Sequence, residues 1–384
     1  MADIVNYFDY AAATPMLPEA IAVMEPFYSD AFYNPSALYL GARANRQELD
    51  TFRHMVASEL GARPTEIIFT AGGTEANNLA LVGVLQAFPG GHLVTTAIEH
   101  DSVLMPAARY PHTVVGVNAK GQVAVLDIVA AITDKTVLVS VMYANNEVGA
   151  IQPIKEIAQA IDAIKKRRKQ EGNNTPLYFH TDACQASNYL DMQVSKLGVD
   201  MMTINGGKVY GPKQSGALYV KAGMQLEPLI LGGGQEWGMR SGTENLAAIA
   251  GFATAWQKVR HNYHAEAKKT AELRDVVVAT LEKALPGCIA NGPRGNHRLA
   301  NNIHVTFNGV DNERLLMELD EQGYQIATGS ACSASSDEPS HVLKAMGISD
   351  KAAQNSVRIT LGRYSTNESV NKLCETIIKI VALS

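Results

Sequence analysis

Apolar residues along this chain fall into short dense runs, separated by longer stretches in which they recur every three or four positions. The runs at residues 66–70, 92–97, 113–117, 136–143, 177–181, 201–205 and 216–220 are β-rich and too short for amphipathic helices. They read as strands buried on both faces, the mark of a mostly parallel sheet covered by helices. Helical periodicity over 18–28, over 43–60 and between several of the strands completes an α/β alternation. After residue 220 the pattern changes. A long Ala-rich periodic stretch from Thr243 to about Leu285, with Thr243 as N-cap, reads as a helix passing from one domain to another. Beyond it lie shorter mixed elements, with strands near 302–307 and 357–360 and helices over 313–321 and 368–382, which predict a smaller α+β domain.

Composition agrees with this picture. The chain has 384 residues, 46% hydrophobic and 18% charged, enough for two globular domains. Its formal net charge of −5 argues against a general nucleic-acid binder, and the basic run at 165–169 sits where a helix C-terminus would accommodate it. The four cysteines, at 184, 288, 332 and 374, show no CxxC spacing, so neither a zinc ribbon nor a disulfide scaffold is expected. No metal site is predicted. An acid near the N-terminus, and no apolar run of membrane-span length, set a cytoplasmic location as the expectation.

Four stretches carry candidate chemistry. In Asn205-Gly206-Gly207-Lys208-Val209-Tyr210-Gly211-Pro212-Lys213, a lysine follows a buried strand among glycines, which let the backbone approach a ligand closely. A lysine desolvated there could condense with an aldehyde. A phosphate-binding P-loop is excluded, because Met202 stands where its first glycine should be and Val209 follows Lys208. Upstream, Asp182 ends the strand run 177–181, so that it and Lys208 emerge on one rim of the sheet. Pyridoxal phosphate needs this pair: an amine for its aldehyde and a carboxylate that keeps its ring nitrogen protonated. A third turn, Ala71-Gly72-Gly73-Thr74, leads a strand into a helix whose free N–H groups suit a phosphate. Finally, the loop 327–339 is built almost entirely of small residues around Cys332, which favours an accessible, reactive thiol.

The order and spacing of Asp9-Tyr10-Ala11-Ala12-Ala13-Thr14, Asn34-Pro35-Ser36, Thr70–Asn78, Glu99-His100 and Asn145-Asn146-Glu147-Val148-Gly149 continue through His180–Gln185, Lys208 and Tyr210–Lys213. They extend further through Gly232-Gly233-Gly234-Gln235-Glu236, Arg240-Ser241-Gly242-Thr243, Gly329-Ser330-Ala331-Cys332 and Arg358. Over nearly its whole length the chain resembles the cysteine desulfurases of the NifS/IscS type, within the class V aminotransferase group of fold-type I pyridoxal phosphate enzymes. The resemblance implies a large cofactor-binding domain with a mostly parallel seven-stranded sheet over residues 15–255. Residues 1–14 and 256–384 would form a smaller α+β domain carrying the cysteine loop.

It implies further that Lys208 holds pyridoxal phosphate, Asp182 faces its ring nitrogen, Gln185 bonds its hydroxyl and His100 lies over the ring as an acid/base. Gly73 and Thr74 would meet the phosphate, with Thr243 reaching it from the partner subunit of a homodimer. Asn146 and Arg358 would position L-cysteine, Arg358 through a two-point grip on its carboxylate, and Cys332 would accept the sulfur as a persulfide. The implied acceptors are proteins such as an iron–sulfur scaffold or a tRNA thiolation enzyme, with no direct binding of nucleic acid or membrane. The alternatives are a selenocysteine lyase or other class V lyase, and a sulfur-transfer scaffold with weakened turnover.

Departures from the family pattern occur at the lysine and at two other places. Where the family usually has Ser-x-His-Lys, this chain has Asn205-Gly206-Gly207-Lys208; Tyr39 replaces a histidine and Trp237 an arginine. The expectation is that the Asn205 amide, together with the N–H groups of Gly206 and Gly207 turned inward, holds the phosphate instead.

Overall fold

The computed structural model describes residues 4–329 and 339–383. Seven of the apolar runs pair into one sheet: β1 (Ile67–Thr70), β2 (His92–Thr96), β3 (His112–Val115), β4 (Thr136–Ser140), β5 (Tyr178–Asp182), β6 (Met201–Asn205) and β7 (Gly216–Val220). Their order is β1-β7-β6-β5-β4-β2-β3. The block from β6 to β3 is parallel, while β7 runs antiparallel to both β6 and β1. The α/β class and the mostly parallel seven-stranded sheet are therefore as the sequence predicts.

Alternation along the strands explains the uniformly apolar runs. Phe69, Val94, Val139, Met202 and Tyr219 join one core with the helices Leu40–Leu60, Ile154–Gln170 and Leu246–His261. Their neighbours Ile68, Leu93, Leu138, Met201 and Leu218 join a second core under the helix Gly73–Ala87. Successive side chains of a strand point to opposite faces, and here both faces are covered. β4 is shorter than its apolar run predicts: the chain leaves the sheet after Ser140, and the next residues build the cavity wall.

A second, antiparallel sheet has the order β10-β9-β8, from β8 (Cys288–Ala290), β9 (Asn302–Phe307) and β10 (Ser356–Thr360). Its core contains Phe307, Ile359, Leu281, Leu319 and Leu373, and also Phe8 from the N-terminus. The N-terminal segment reaches this sheet through the bridge from Asp9 to Thr360, and Tyr7 bridges Gln325 outside the sheet.

The stretch 243–285 is not one helix. It forms Leu246–His261 and Tyr263–Ala284, separated at Asn262, where the backbone leaves the helical region (φ −118, ψ 12). The N-cap is Asn245, whose side-chain oxygen accepts from the Ala248 N–H at 3.1 Å, and not Thr243. An Asn caps as well as a Thr, so the later residue closes the helix start. The first helix continues past residue 255, and its residues through Val259 pack in the core of the large sheet.

Candidate active site

The strands β1, β2, β4, β5 and β6 all end on one rim of the sheet, where open α/β folds gather ligands. Gly73, Thr74, His100, Asn146, Asp182, Gln185, Asn205, Lys208 and Arg358 line a single cavity of about 230 Å³ on that rim. Two expected residues are not among them. Thr243 is exposed and does not line its own chain's cavity, and Cys332 lies outside the described residues.

The lysine turn is built by its neighbours. β6 ends at Asn205, whose side-chain oxygen accepts from the Gly207 N–H at 2.9 Å and closes one 3-10 turn over Gly206–Lys208. The Gly206 N–H donates to the Ser215 carbonyl at 2.8 Å, and a Cβ at Gly206 would lie 2.0 Å from Ser215 Oγ, so only glycine fits. Both glycine N–H groups are thus committed within the loop. This corrects the expectation of an inward-facing backbone nest: the Asn205 cap has taken one donor and the β6–β7 connection the other. Lys208 Nζ donates to the carbonyls of Ala11 at 2.7 Å and Ala12 at 2.5 Å, and Asn188 Nδ2 donates to the Lys208 carbonyl at 2.7 Å.

At the end of β5, Asp182 Oδ1 accepts from the Cys184 N–H at 2.9 Å and Oδ2 from Asn77 Nδ2 at 2.7 Å. Gln185 Nε2 donates to the Ala11 carbonyl at 3.0 Å. His100 is the N-cap of the helix Asp101–Ala107, its Nδ1 accepting from the Ser102 N–H at 3.0 Å. Arg358, fully buried on β10, donates from Nη2 to Asp9 Oδ1 at 2.7 Å and from Nη1 to the Asn146 carbonyl at 3.3 Å. The guanidinium is already oriented by Asp9, while its Nε has no partner among the described residues.

Buried titratable groups surround the cavity floor. Burial pushes the Glu99 carboxyl up to about 8, with the Asp182 charge adding to the effect, and lowers the His180 imidazole to about 4. His180 is fixed between Ser140 Oγ at 2.9 Å and Thr203 Oγ1 at 3.0 Å. The Cys184 thiol faces the cavity, yet enclosure and the neighbouring Asp182 push it well up.

These residues fit pyridoxal phosphate. An acid and an amine line one cavity with a helix start, Gly73, that has no side-chain cap and so offers N–H groups to an anion. A Cβ on Gly73 would come within 2.9 Å of Cys184 Sγ and 3.4 Å of Asn205 Nδ2, so the helix start is held close against the β5 and β6 ends. Sequence reasoning passed over Asn77, Ser102 and Cys184 as site residues. Asn77 follows Thr74 by one helical turn, a spacing that places both on one helix face, whereas nothing local marks Ser102 or Cys184.

The chain matches a family model described as aminotransferase class-V over residues 6–373. It is 40% identical over 382 residues to "Cysteine desulfurase IscS" of Dictyoglomus turgidum, covering 98% of this chain and 94% of that protein. To the protein of the same name from Methanosarcina thermophila it is 38% identical over 382 residues, covering 98% and 91%. Among solved structures, a "NIFS-LIKE PROTEIN" superposes with a TM-score of 0.89 at 31% identity, covering 98% of this chain and 99% of that one. Another, "SspA in complex with cysteine", gives a TM-score of 0.80 at 34% identity over 94% of this chain and 100% of that one.

Proposed function

The chain belongs to the class-V aminotransferases and, within them, to the cysteine desulfurases of the NifS/IscS type, and from that premise we propose which residues carry out its reaction. The enzyme depends on pyridoxal phosphate and converts L-cysteine to L-alanine, its sulfur passing to an enzyme cysteine as a persulfide. Bound in the cavity, the cofactor supplies an aldehyde for amines and a ring that draws off the electron pair released at the substrate carbon. The observation that carries the assignment is the meeting of Lys208, Asp182 and the uncapped helix start in one cavity.

In this reading Lys208 binds the cofactor and then carries the proton lost from the substrate Cα. Asp182 keeps the ring nitrogen protonated, Gln185 meets the ring hydroxyl and His100 faces the ring. Gly73, Thr74 and Asn205 Nδ2 take the phosphate, joined by Thr243 of a second copy. Arg358 and Asn146 receive the substrate carboxylate; the unpartnered Nε of Arg358 and its long contact to the Asn146 carbonyl leave the guanidinium capacity for it.

Cys332 is the sulfur acceptor. Its thiolate attacks the substrate sulfur, the S–S bond forms as Cβ–S breaks, and the released electron pair takes a proton at Cβ to give alanine. Support comes from the other cysteines, whose thiols are all pushed up by burial: Cys184 well up, Cys288 to about 11 and Cys374 to about 12. None of them supplies much thiolate near neutral pH.

The homodimer reading rests on large apolar side chains exposed in two segments, Phe32, Leu38 and Leu40 in one and Leu231 and Trp237 in the other, and on Thr243 being exposed and not lining its own chain's cavity. Free thiols at Cys184, Cys288 and Cys374 support a cytoplasmic location, and no helix among the described residues is long and apolar enough to cross a membrane. The break at Asn262 and the separate core around β8–β10 support a division close to 15–255 against 1–14 with 256–384. The sulfur is destined for an acceptor protein, such as an iron–sulfur scaffold or a tRNA thiolation enzyme.

Two variants test the assignment. Lys208→Ala should abolish the visible absorbance of bound cofactor while Lys213→Ala largely keeps it; the reverse pattern overturns it. Cys332→Ser should bind cofactor and react with L-cysteine yet carry no persulfide, and mass spectrometry finding that sulfur on Cys184, Cys288 or Cys374 would refute the acceptor.

A further inference from the structure

We infer that Asn77 is a positioning residue that ties Asp182 to His100, which is held as the tautomer protonated on Nε2. Asn77 lies in the first turns of the helix Gly73–Ala87 and is 1% exposed. Its Nδ2 donates to Asp182 Oδ2 at 2.7 Å and to Ser102 Oγ at 2.9 Å. A carboxylate only accepts, so the amide nitrogen faces Asp182 and the orientation of Asn77 is determined. Ser102 Oγ accepts the second Asn77 hydrogen, and its own proton then goes to His100 Nδ1, 2.8 Å away. The Ser102 backbone N–H reaches the same Nδ1 at 3.0 Å. A backbone N–H can only donate, so Nδ1 is an acceptor and the ring's proton resides on Nε2.

The hydrogen bonds therefore have a single sense, from Asn77 to Asp182 on one side and from Asn77 through Ser102 to His100 on the other. They join residues delivered by the ends of β1, β2 and β5. A ring protonated on Nε2, with Nδ1 held by two donors from Ser102, donates into the cavity and has no basic nitrogen to offer there. Removal of the substrate Cα proton accordingly falls to Lys208, and His100 acts as a hydrogen-bond donor. Asn77 also fills Asp182 Oδ2 and so holds the carboxylate in one orientation. The inference rests on the reading that Asp182 and His100 both face the bound cofactor.

The test uses holoenzyme with 15N-labelled histidine, the His100 signals being assigned by their loss in His100→Gln. The expected spectrum has a pyridine-type Nδ1 and a pyrrole-type Nε2; a pyridine-type Nε2 overturns the inference, and this measurement needs no variant of Asn77 to fold. Asn77→Ala should lower kcat for alanine formation about tenfold with KM for L-cysteine within about twofold. It should also displace the pH at which the absorbance of the bound cofactor changes. Ser102→Ala should leave that pH in place and, because its backbone N–H still donates to Nδ1, keep His100 protonated on Nε2. An absorbance transition at the wild-type pH in Asn77→Ala overturns the tie. Asp182→Asn separates the two levels of the argument. If it too leaves the transition in place, the placement of Asp182 at the cofactor is wrong; if it alone moves the transition, only the role of Asn77 is.

Discussion

The two ends of the cavity are built differently. Around Asp182 both carboxylate oxygens are filled, by the Cys184 N–H and by Asn77, and the chain of hydrogen bonds runs on through Ser102 to His100. Around Asn205 the loop satisfies itself: the side-chain oxygen holds the Gly207 N–H, and the Gly206 N–H is spent on Ser215. What remains for an anion there is the uncapped start of the helix at Gly73, the Thr74 hydroxyl and Asn205 Nδ2. The first end must hold a charge and a proton in fixed places before substrate arrives, and preorganised donors do that. The second end must hold a phosphate, for which backbone N–H groups and a helix dipole suffice. All the departures from the family around the lysine fall at this second end.

If the ends are separable, substitutions at each should move different quantities. The largest effect is expected from Asp182→Asn, which lacks the charge that keeps the ring nitrogen protonated. It should lower kcat for alanine formation by about 100- to 1,000-fold, while cofactor dissociation, followed by loss of absorbance on dilution, changes less than about tenfold. A comparable loss of cofactor would show that the ends act as one.

A smaller effect is expected at the other end. A Cβ added at Gly207 meets nothing nearer than Asn205 Oδ1 at 3.5 Å, an ordinary contact, so a histidine there can be accommodated. The double variant Asn205→Ser, Gly207→His should release cofactor about tenfold more slowly, because it adds one charge-assisted hydrogen bond. Its kcat at saturating cofactor should stay within about twofold of wild type. Unchanged release would mean that the helix start and Asn205 Nδ2 already bind the phosphate as well as the family residues would.

What could be read from the sequence follows the range of the interactions. The strands were legible because burial on both faces leaves runs such as Leu93-Val94 and Leu138-Val139 with no polar face, a purely local signature. Lys208 and Asp182 were legible because each sits where a strand run stops. The break at Asn262 was not, because the apolar period continues on either side of it and a single Asn is tolerated in a helix. The Asn77 tie was not legible either, since its partners Ser102 and Asp182 come from two other strand ends. The nest failed for a similar reason: Asn205 could be seen as a donor, but its oxygen is taken by its own loop. Cys332 lies outside the described residues, and its assignment stands on its loop of small residues.

The smallest effect concerns stability beneath the better-ordered end, at Glu99. This carboxyl is fully buried, accepts from Thr96 Oγ1 at 2.6 Å and from the Met142 N–H at 2.9 Å, and leaves Oε2 without a partner among the described residues. Burial raises it from 4.5 to about 8. Between those values the folded protein keeps a proton that the unfolded chain has lost, so stability falls as pH rises through the window. The buried His180 and His304, lowered to about 4 and about 3, act in the opposite sense, but only below their ordinary value near 6.5. The interval from pH 6.5 to 8 therefore isolates the buried carboxyls, of which Glu147 is a second, also raised by burial. Urea denaturation of the holoenzyme should show stability declining across that interval by up to about 1.4 kcal/mol per pH unit for each carboxyl still protonated. Glu99→Gln keeps the shape and cannot ionise, so its decline should be shallower without vanishing, since Glu147 remains. If the variant falls as steeply as wild type, Glu99 is ionised throughout the interval, and the electrostatic floor under Asp182 is more negative than its burial implies.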